Sequence, residues 1–196
     1  MVKRNKNFAK LQAGYLFPEI NKRKEKVEKE NPDANVISLG IGNTTEPLTP
    51  HIVKGLKLAS KGMGTDEGYS GYGPEKGIKE LREKIADKFY KNLVSSDEVF
   101  VSDGAKPDIG RLQFMFGPNV NVAIQDPAYP VYVDGSVMIG ATGNYNDEKE
   151  LFDGIQYMKC SPENDFFPDL SKLENVDLIY FCSPNNPTGA VASKEQ

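Results

Sequence analysis

The 196-residue chain has no tryptophan, two cysteines and a single histidine, His51. So small a stock of cysteine and histidine excludes a disulfide framework and a Cys/His zinc site. Cys160 and Cys182 flank or occupy apolar segments and read as buried thiols in a reducing compartment. Long hydrophobic runs are missing too: no stretch approaches the roughly 20 apolar residues of a membrane span. The basic start MVKRNKNFAKL lacks an apolar core of secretory length, which points to a cytoplasmic protein with no membrane partner. A net charge of -4 and a pI near 5.2 leave no basic footprint and argue against nucleic acid. Low-complexity tracts and internal repeats are also absent. The 18 glycines and 13 prolines fall between periodic segments, as in a loop-rich globular chain long enough to bury a sizeable core.

What is present is an alternation of apolar-periodic segments and turns. Residues 1–20 read as a basic arm in which Tyr15, Leu16, Phe17 and Ile20 surround Pro18, apolar surface that packs on something. Residues 21–30, NKRKEKVEKE, carry charges of alternating sign and read as a solvated helical face. Residues 36–39 read as a short strand entering Gly40, Gly42 and Asn43, either a tight turn or a close approach of backbone to a ligand. A helix is predicted over 49–61, with Thr49 as N-cap, Pro50 at its first position and Ile52, Val53, Leu56 and Ala59 near one face. In the glycine loop GMGTDEGYSGYG, Tyr69 and Tyr72 are bulky exceptions that read as contacts or as part of a mobile segment. Pro74 then opens the clearest amphipathic helix, with Ile78, Leu81, Ile85 and Phe89 recurring at helical spacing.

The second half places polar groups at strand ends. EVFVS (98–102) reads as a strand, followed by DGAK and a helical pattern through Ile109, Leu112 and Phe116. The first turn of such a helix directs backbone N–H groups outward with a partial positive charge, so Ala105 and Lys106 sit either at a phosphate site or at an ordinary strand-to-helix junction. NVAIQ (121–125) reads as a buried strand, and the following Tyr129 lies between Pro127 and Pro130. A ring fixed in that way suits stacking on a planar heteroaromatic, or is simply a core tyrosine. Strands are predicted at 154–159 and 176–181, separated by a polar loop with Phe166 and Phe167 and a short helix-like segment near Pro168. The last of them runs into IYFCSPNNPTG (179–189), where an apolar run stops at a turn of prolines, asparagines and glycine. In open α/β sheets ligands sit beyond the carboxyl ends of strands, so this loop holds a ligand or is plain turn chemistry. The alternation over 99–189 predicts an α/β fold with a mostly parallel sheet covered by helices.

In chain order, DGAK (103–106), DPAYPVY (126–132) and SPNNPTG (183–189) resemble the cofactor-binding series of the fold-type-I aminotransferases, which use pyridoxal 5'-phosphate. YLFPEI (15–20), LGIGNTTEPL (39–48), GYSGYGPEKG (68–77) and VFVSDGAKPDIGRL (99–112) further resemble the LL-diaminopimelate aminotransferases within that superfamily. The likeness runs along essentially the whole chain. It implies an N-terminal arm and small-domain segment at 1–47 and part of the cofactor-binding large domain, with its mostly parallel sheet, at 48–196. It also implies roles. Ala105 and Lys106 would meet the cofactor phosphate, joined by Tyr72 from the neighbouring subunit of a homodimer. Tyr129 would stack on the pyridine ring, and Asn186 would hydrogen-bond its phenolic oxygen.

Tyr15, the backbone at Gly42 and Glu75 of the partner subunit would contact an amino acid or 2-oxo acid substrate, together with Lys106, Tyr129 and Asn186. Glu75 suits the distal ammonium of a diamino diacid; as an early-helix glutamate it would serve the dipole instead. The implied reaction exchanges an amino group between LL-2,6-diaminopimelate and 2-oxoglutarate, giving tetrahydrodipicolinate and glutamate. The family's Schiff-base lysine, pyridine-pairing aspartate and carboxylate-binding arginine lie well beyond NPTG, after which this chain has seven residues. The chain is therefore expected to be an amino-terminal half without transaminase activity of its own, and no residue here takes a catalytic role. Two alternatives stand beside it: another fold-type-I aminotransferase, for aspartate or aromatic amino acids, and a non-catalytic binding remnant.

Overall fold

The computed structural model describes residues 2–11, 16–39, 42 and 44–196. The chain gathers into two compact units, one of residues 14–102 and one of residues 1–13 with 103–196.

Among its described residues the 14–102 unit carries the α-helices α1 (Leu16–Glu30), α2 (Pro50–Gly62) and α3 (Lys79–Lys88) and a 3-10 turn at Ser96–Glu98. α1 is the solvated helix that its charges predict, laced by one-turn ion pairs such as Arg23 with Glu19 at 3.0 Å and Lys24 with Glu28 at 3.6 Å. α2 starts where Thr49 and Pro50 predict, although the Thr49 side chain makes no capping bond. Of its expected apolar face only Val53 is half-buried; Ile52, Leu56 and Ala59 are exposed.

α3 begins five residues later than Pro74 predicts. The cause is Gly77, whose φ of +95° is left-handed and stops a helix from running through it. Lys76 and Gly77 instead close a turn onto the 96–101 segment: Val101 N–H donates to the Lys76 carbonyl at 2.9 Å, and a Cβ on Gly77 would stand 2.6 Å from Val101 Cβ. Arg82, only 8% exposed, ties this turn down from inside α3. Its Nε donates to the Gly77 carbonyl at 3.1 Å and its guanidinium to the Ser96 carbonyl. The strands expected at 36–39 and 98–102 do not form. A strand needs a neighbouring ladder, and the single Val101–Lys76 bond is not one.

The second unit holds α4 (Ala105–Phe116), β1 (Val122–Asp126), α5 (Val131–Ile139), β2 (Tyr145–Asn146), β3 (Leu151–Phe152), β4 (Ile155–Lys159) and β5 (Leu178–Tyr180). β4, β1 and β5 form a parallel sheet in that order, so the strands expected at 121–125, 154–159 and 176–181 all appear. β1 is central and opens on three buried apolar residues, Val122, Ala123 and Ile124, as a strand flanked on both edges should; Val122 lies beside Ile155 and Leu178, and Ile124 beside Tyr157 and Tyr180. Val122, Ile124, Val137, Phe152 and Ile155 form its core, completed by Ala141 and Tyr180. β2 and β3 pair antiparallel as a small hairpin.

α5 is a helix that local pattern did not announce. Its β-branched VYVDGSVMI looks extended, yet Gly135, Ser136 and Val137 are buried in the packing. A Cβ at Gly135 would overlap the buried Gln113 side-chain amide of α4. That amide donates to the Tyr132 carbonyl at 3.2 Å and Ser136 Oγ at 3.3 Å, fastening the two helices. Of the expected arm, a 3-10 turn at Lys6–Lys10 lies on α5, with Asn5 Nδ2 donating to the Met138 carbonyl at 2.9 Å; residues 16–20 are instead the first turns of α1, where Phe17 is half-buried and Ile20 exposed. Cys160 is buried and Cys182 only half so. No helix among the described residues is long and apolar enough to cross a membrane.

Candidate active site

Three segments of the 103–196 unit carry candidate side chains, and each is set by a local device. The first is the start of α4. Gly104 has φ +127°, a conformation that L side chains rarely adopt, and it lets the chain turn directly into the helix at Ala105. Arg111 fastens this corner, pairing with Asp103 at 2.7 Å and Asp108 at 2.8 Å. The guanidinium's hydrogen bond holds the Asp103 carboxyl below the usual aspartate range. Ala105 and Lys106 lie exposed in the first turn, at the positive end of the helix dipole.

The second segment leaves the carboxyl end of β1. Tyr129 is half-buried there, and Lys106 Nζ lies 5.1 Å from the centre of its ring, in cation–π range. Burial pushes the carboxyl of Asp134, in the first turn of α5, above the ordinary aspartate range, while the charge of Lys106 acts against that rise.

The third segment leaves β5. Gln125, buried at the end of β1, accepts from Cys182 N–H at 2.6 Å, which holds the strand exit in place. Asn185 is 3% exposed, and its Nδ2 donates to the Pro127 carbonyl at 3.1 Å and to Thr188 Oγ1 at 3.1 Å. The next residue, Asn186, is exposed. A helix start with its cation, an aromatic face and an exposed amide together fit a phosphorylated planar heteroaromatic: phosphate to the first, ring to the second, a ring oxygen to the third.

The structure therefore brings Lys106 to Tyr129 and ties the Asn186 loop to the Tyr129 loop through Asn185. Gly42, Tyr72 and Glu75 belong to the 14–102 unit; Tyr72 is fully exposed and Glu75 is exposed. Because α3 starts at Lys79, Glu75 lies in the turn before it and outside the first helical turn, which removes the dipole reading of that residue. Tyr15 lies outside the described residues. Sequence reasoning missed Asn185 and Gln125. Their only signals were the asparagine doublet and a lone polar residue ending an apolar run.

Residues 34–196 match the family model of aminotransferase class I and II, and the chain belongs to that family. Its α/β fold with a parallel sheet is that of the fold-type-I enzymes, over less than half the length of the reference structures. Within the family, the chain is 57% identical over 196 residues to the chloroplastic LL-diaminopimelate aminotransferase of Arabidopsis thaliana, covering 100% of this chain and 42% of that protein. It is 50% identical to the LL-diaminopimelate aminotransferase of Protochlamydia amoebophila, covering 100% of this chain and 48% of the relative. The solved structure of the L,L-diaminopimelate aminotransferase from Chlamydomonas reinhardtii matches with a TM-score of 0.90 at 57% identity, over 100% of this chain and 48% of that one. The chain thus spans about half the length of the curated relatives it matches.

Proposed function

We propose that this chain is the amino-terminal portion of a pyridoxal 5'-phosphate-dependent aminotransferase that exchanges an amino group between LL-2,6-diaminopimelate and 2-oxoglutarate. The observation that carries the substrate assignment is the 57% identity, over the full chain, to a relative of that name. The pairing of Lys106, at the start of α4, with Tyr129, after β1, supports the cofactor. In this reading residues 1–47 are the arm and small-domain segment and 48–196 part of the large domain.

When bound, the cofactor supplies an electron sink for the carbon that loses its proton. The residues of this chain hold and orient it. Ala105 N–H and Lys106 take the phosphate, Tyr129 fixes the plane of the ring, and Asn186 donates to the phenolic oxygen. A homodimer completes the site, with Tyr72 reaching the neighbour's phosphate and Glu75 pairing with the distal ammonium of the substrate; the exposure of both side chains supports that assignment. Tyr15 and the Gly42 backbone match positions that contact substrate. The free thiols of Cys160 and Cys182 fit a reducing compartment such as the cytoplasm.

The test uses the full-length protein with LL-2,6-diaminopimelate and 2-oxoglutarate, following glutamate formation. Glu75→Gln is expected to raise KM for diaminopimelate about tenfold, the loss of one charge-assisted contact, with little change for a donor lacking the second ammonium. A protein that transfers from aspartate but not from diaminopimelate overturns the substrate assignment.

A further inference from the structure

Two loops carry the groups assigned to the cofactor ring, and they leave different strands. Tyr129 follows β1, and Asn186 follows β5. Stacking and a hydrogen bond to one edge of the same ring require these loops to keep a fixed spacing, because an error of a few tenths of an ångström weakens a hydrogen bond steeply. Neither Tyr129 nor Asn186 can set that spacing alone, since Asn186 is exposed and Tyr129 only half-buried.

Asn185 stands where the spacing is set. It is 3% exposed and makes four bonds in two directions. Its backbone closes its own loop, N–H to the Ala190 carbonyl at 2.8 Å and carbonyl from Gly189 N–H at 2.7 Å. Its side-chain Nδ2 crosses to the other loop, donating to the Pro127 carbonyl at 3.1 Å while also reaching Thr188 Oγ1 at 3.1 Å. The bond to Pro127 links positions 58 residues apart in sequence, and Pro127 is two residues from Tyr129. The direction of the amide is forced, because Pro127 presents a carbonyl that can only accept. With Nδ2 committed, Asn185 Oδ1 is buried and has no hydrogen-bond partner among the described residues.

We infer that Asn185 is a positioning residue for the cofactor ring: it holds the Asn186 amide and the Tyr129 ring in register through the Pro127 carbonyl, without itself touching the cofactor. This inference rests on the assignment of Tyr129 and Asn186 given above. Asn185→Ala removes the cross-loop bond, and Asn185→Asp replaces the donor by an oxygen facing the Pro127 carbonyl. Thr188→Val removes one of the two Nδ2 partners together with the acceptor of Ala190 N–H, and leaves the bond to Pro127 in place.

The experiment measures pyridoxal 5'-phosphate dissociation constants for the full-length protein and its variants by equilibrium dialysis, and melting temperatures with and without saturating cofactor. Asn185→Ala and Asn185→Asp are expected to weaken cofactor binding by about tenfold or more, and Thr188→Val by about threefold, the range of one lost hydrogen bond. The upward shift in Tm on adding cofactor shrinks accordingly in each variant. A merely structural role predicts something else: Tm falls equally with and without cofactor while the dissociation constant stays at the wild-type value, and that result overturns the inference. Should the Asn185 variants not fold, Thr188→Val decides on the same two readouts, wild-type affinity counting against. Wild-type protein that fails to bind the cofactor sinks the functional assignment itself, an outcome distinct from loss of binding in the variants alone.

Discussion

The two units of this chain bury their residues by opposite means. In the 103–196 unit a central parallel strand has Val122, Ala123 and Ile124 at 1%, 0% and 0% exposure, sealed by helix and strand neighbours. In the 14–102 unit the buried residues among those described are Ala86 and Arg82, and α2 shows its leucines to the outside. The first unit is organised by apolar area, the second by a polar knot in which Arg82 ties the Gly77 and Ser96 carbonyls. The difference teaches that helical periodicity makes an apolar face but not a core. A sheet supplies a continuous surface on which such a face can be spent, and three helices joined by glycine loops do not.

That contrast can be broken at several points. The largest effect is expected at the centre of β1, where Ile124→Ala should cost about 3 kcal/mol in urea unfolding of the 196-residue chain. Its counterpart on α2, Leu58→Ala at 61% exposure, should stay within roughly 0.5 kcal/mol. Equal losses would show that the two units are not built differently. Next in size is Arg82→Ala, which leaves the Gly77 and Ser96 carbonyls without their donor and should cost about 2 kcal/mol in the same assay.

Gly77→Ala acts on the same knot from the backbone side. The φ of +95° and the 2.6 Å approach of a new Cβ to Val101 should destabilise by about 1–2 kcal/mol, and a neutral result would mean that the turn can relax away from Val101. Smallest, and of opposite sign, is Gly55→Ala in α2. Nothing lies within 4 Å of the added methyl, and the gain in helix propensity should stabilise by about 0.5–1 kcal/mol; calorimetry finding a loss would show that this face is covered.

How much was legible before the structure follows the range of each interaction. α2 could be read from Thr49 and Pro50, and β1 from its short apolar run, because caps and apolar runs are local signals. α5 could not, since VYVDGSVMI is β-prone and becomes helical only where Gly135 lets it pack against Gln113. The 98–102 segment looks as much like a strand as 121–125 does, yet joins no strand ladder among the described residues. In the site, Lys106, Tyr129 and Asn186 were legible as motif positions. Asn185 was not, because an asparagine doublet does not say which member turns inward.

What the sequence by itself determined is a set of pieces: the starts of α2 and α4, the three strands of the parallel sheet, and the motifs that mark the family, all written in neighbours a few residues apart. Only the tertiary structure decided how the pieces serve one another. It put the Lys106 ammonium over the Tyr129 ring, moved the start of α3 past Glu75, and gave one asparagine to the interior and the next to the surface. The physical reason is that a hydrogen-bond partner 58 residues away, such as the Pro127 carbonyl for Asn185, exists only once the sheet has brought the two strand ends side by side.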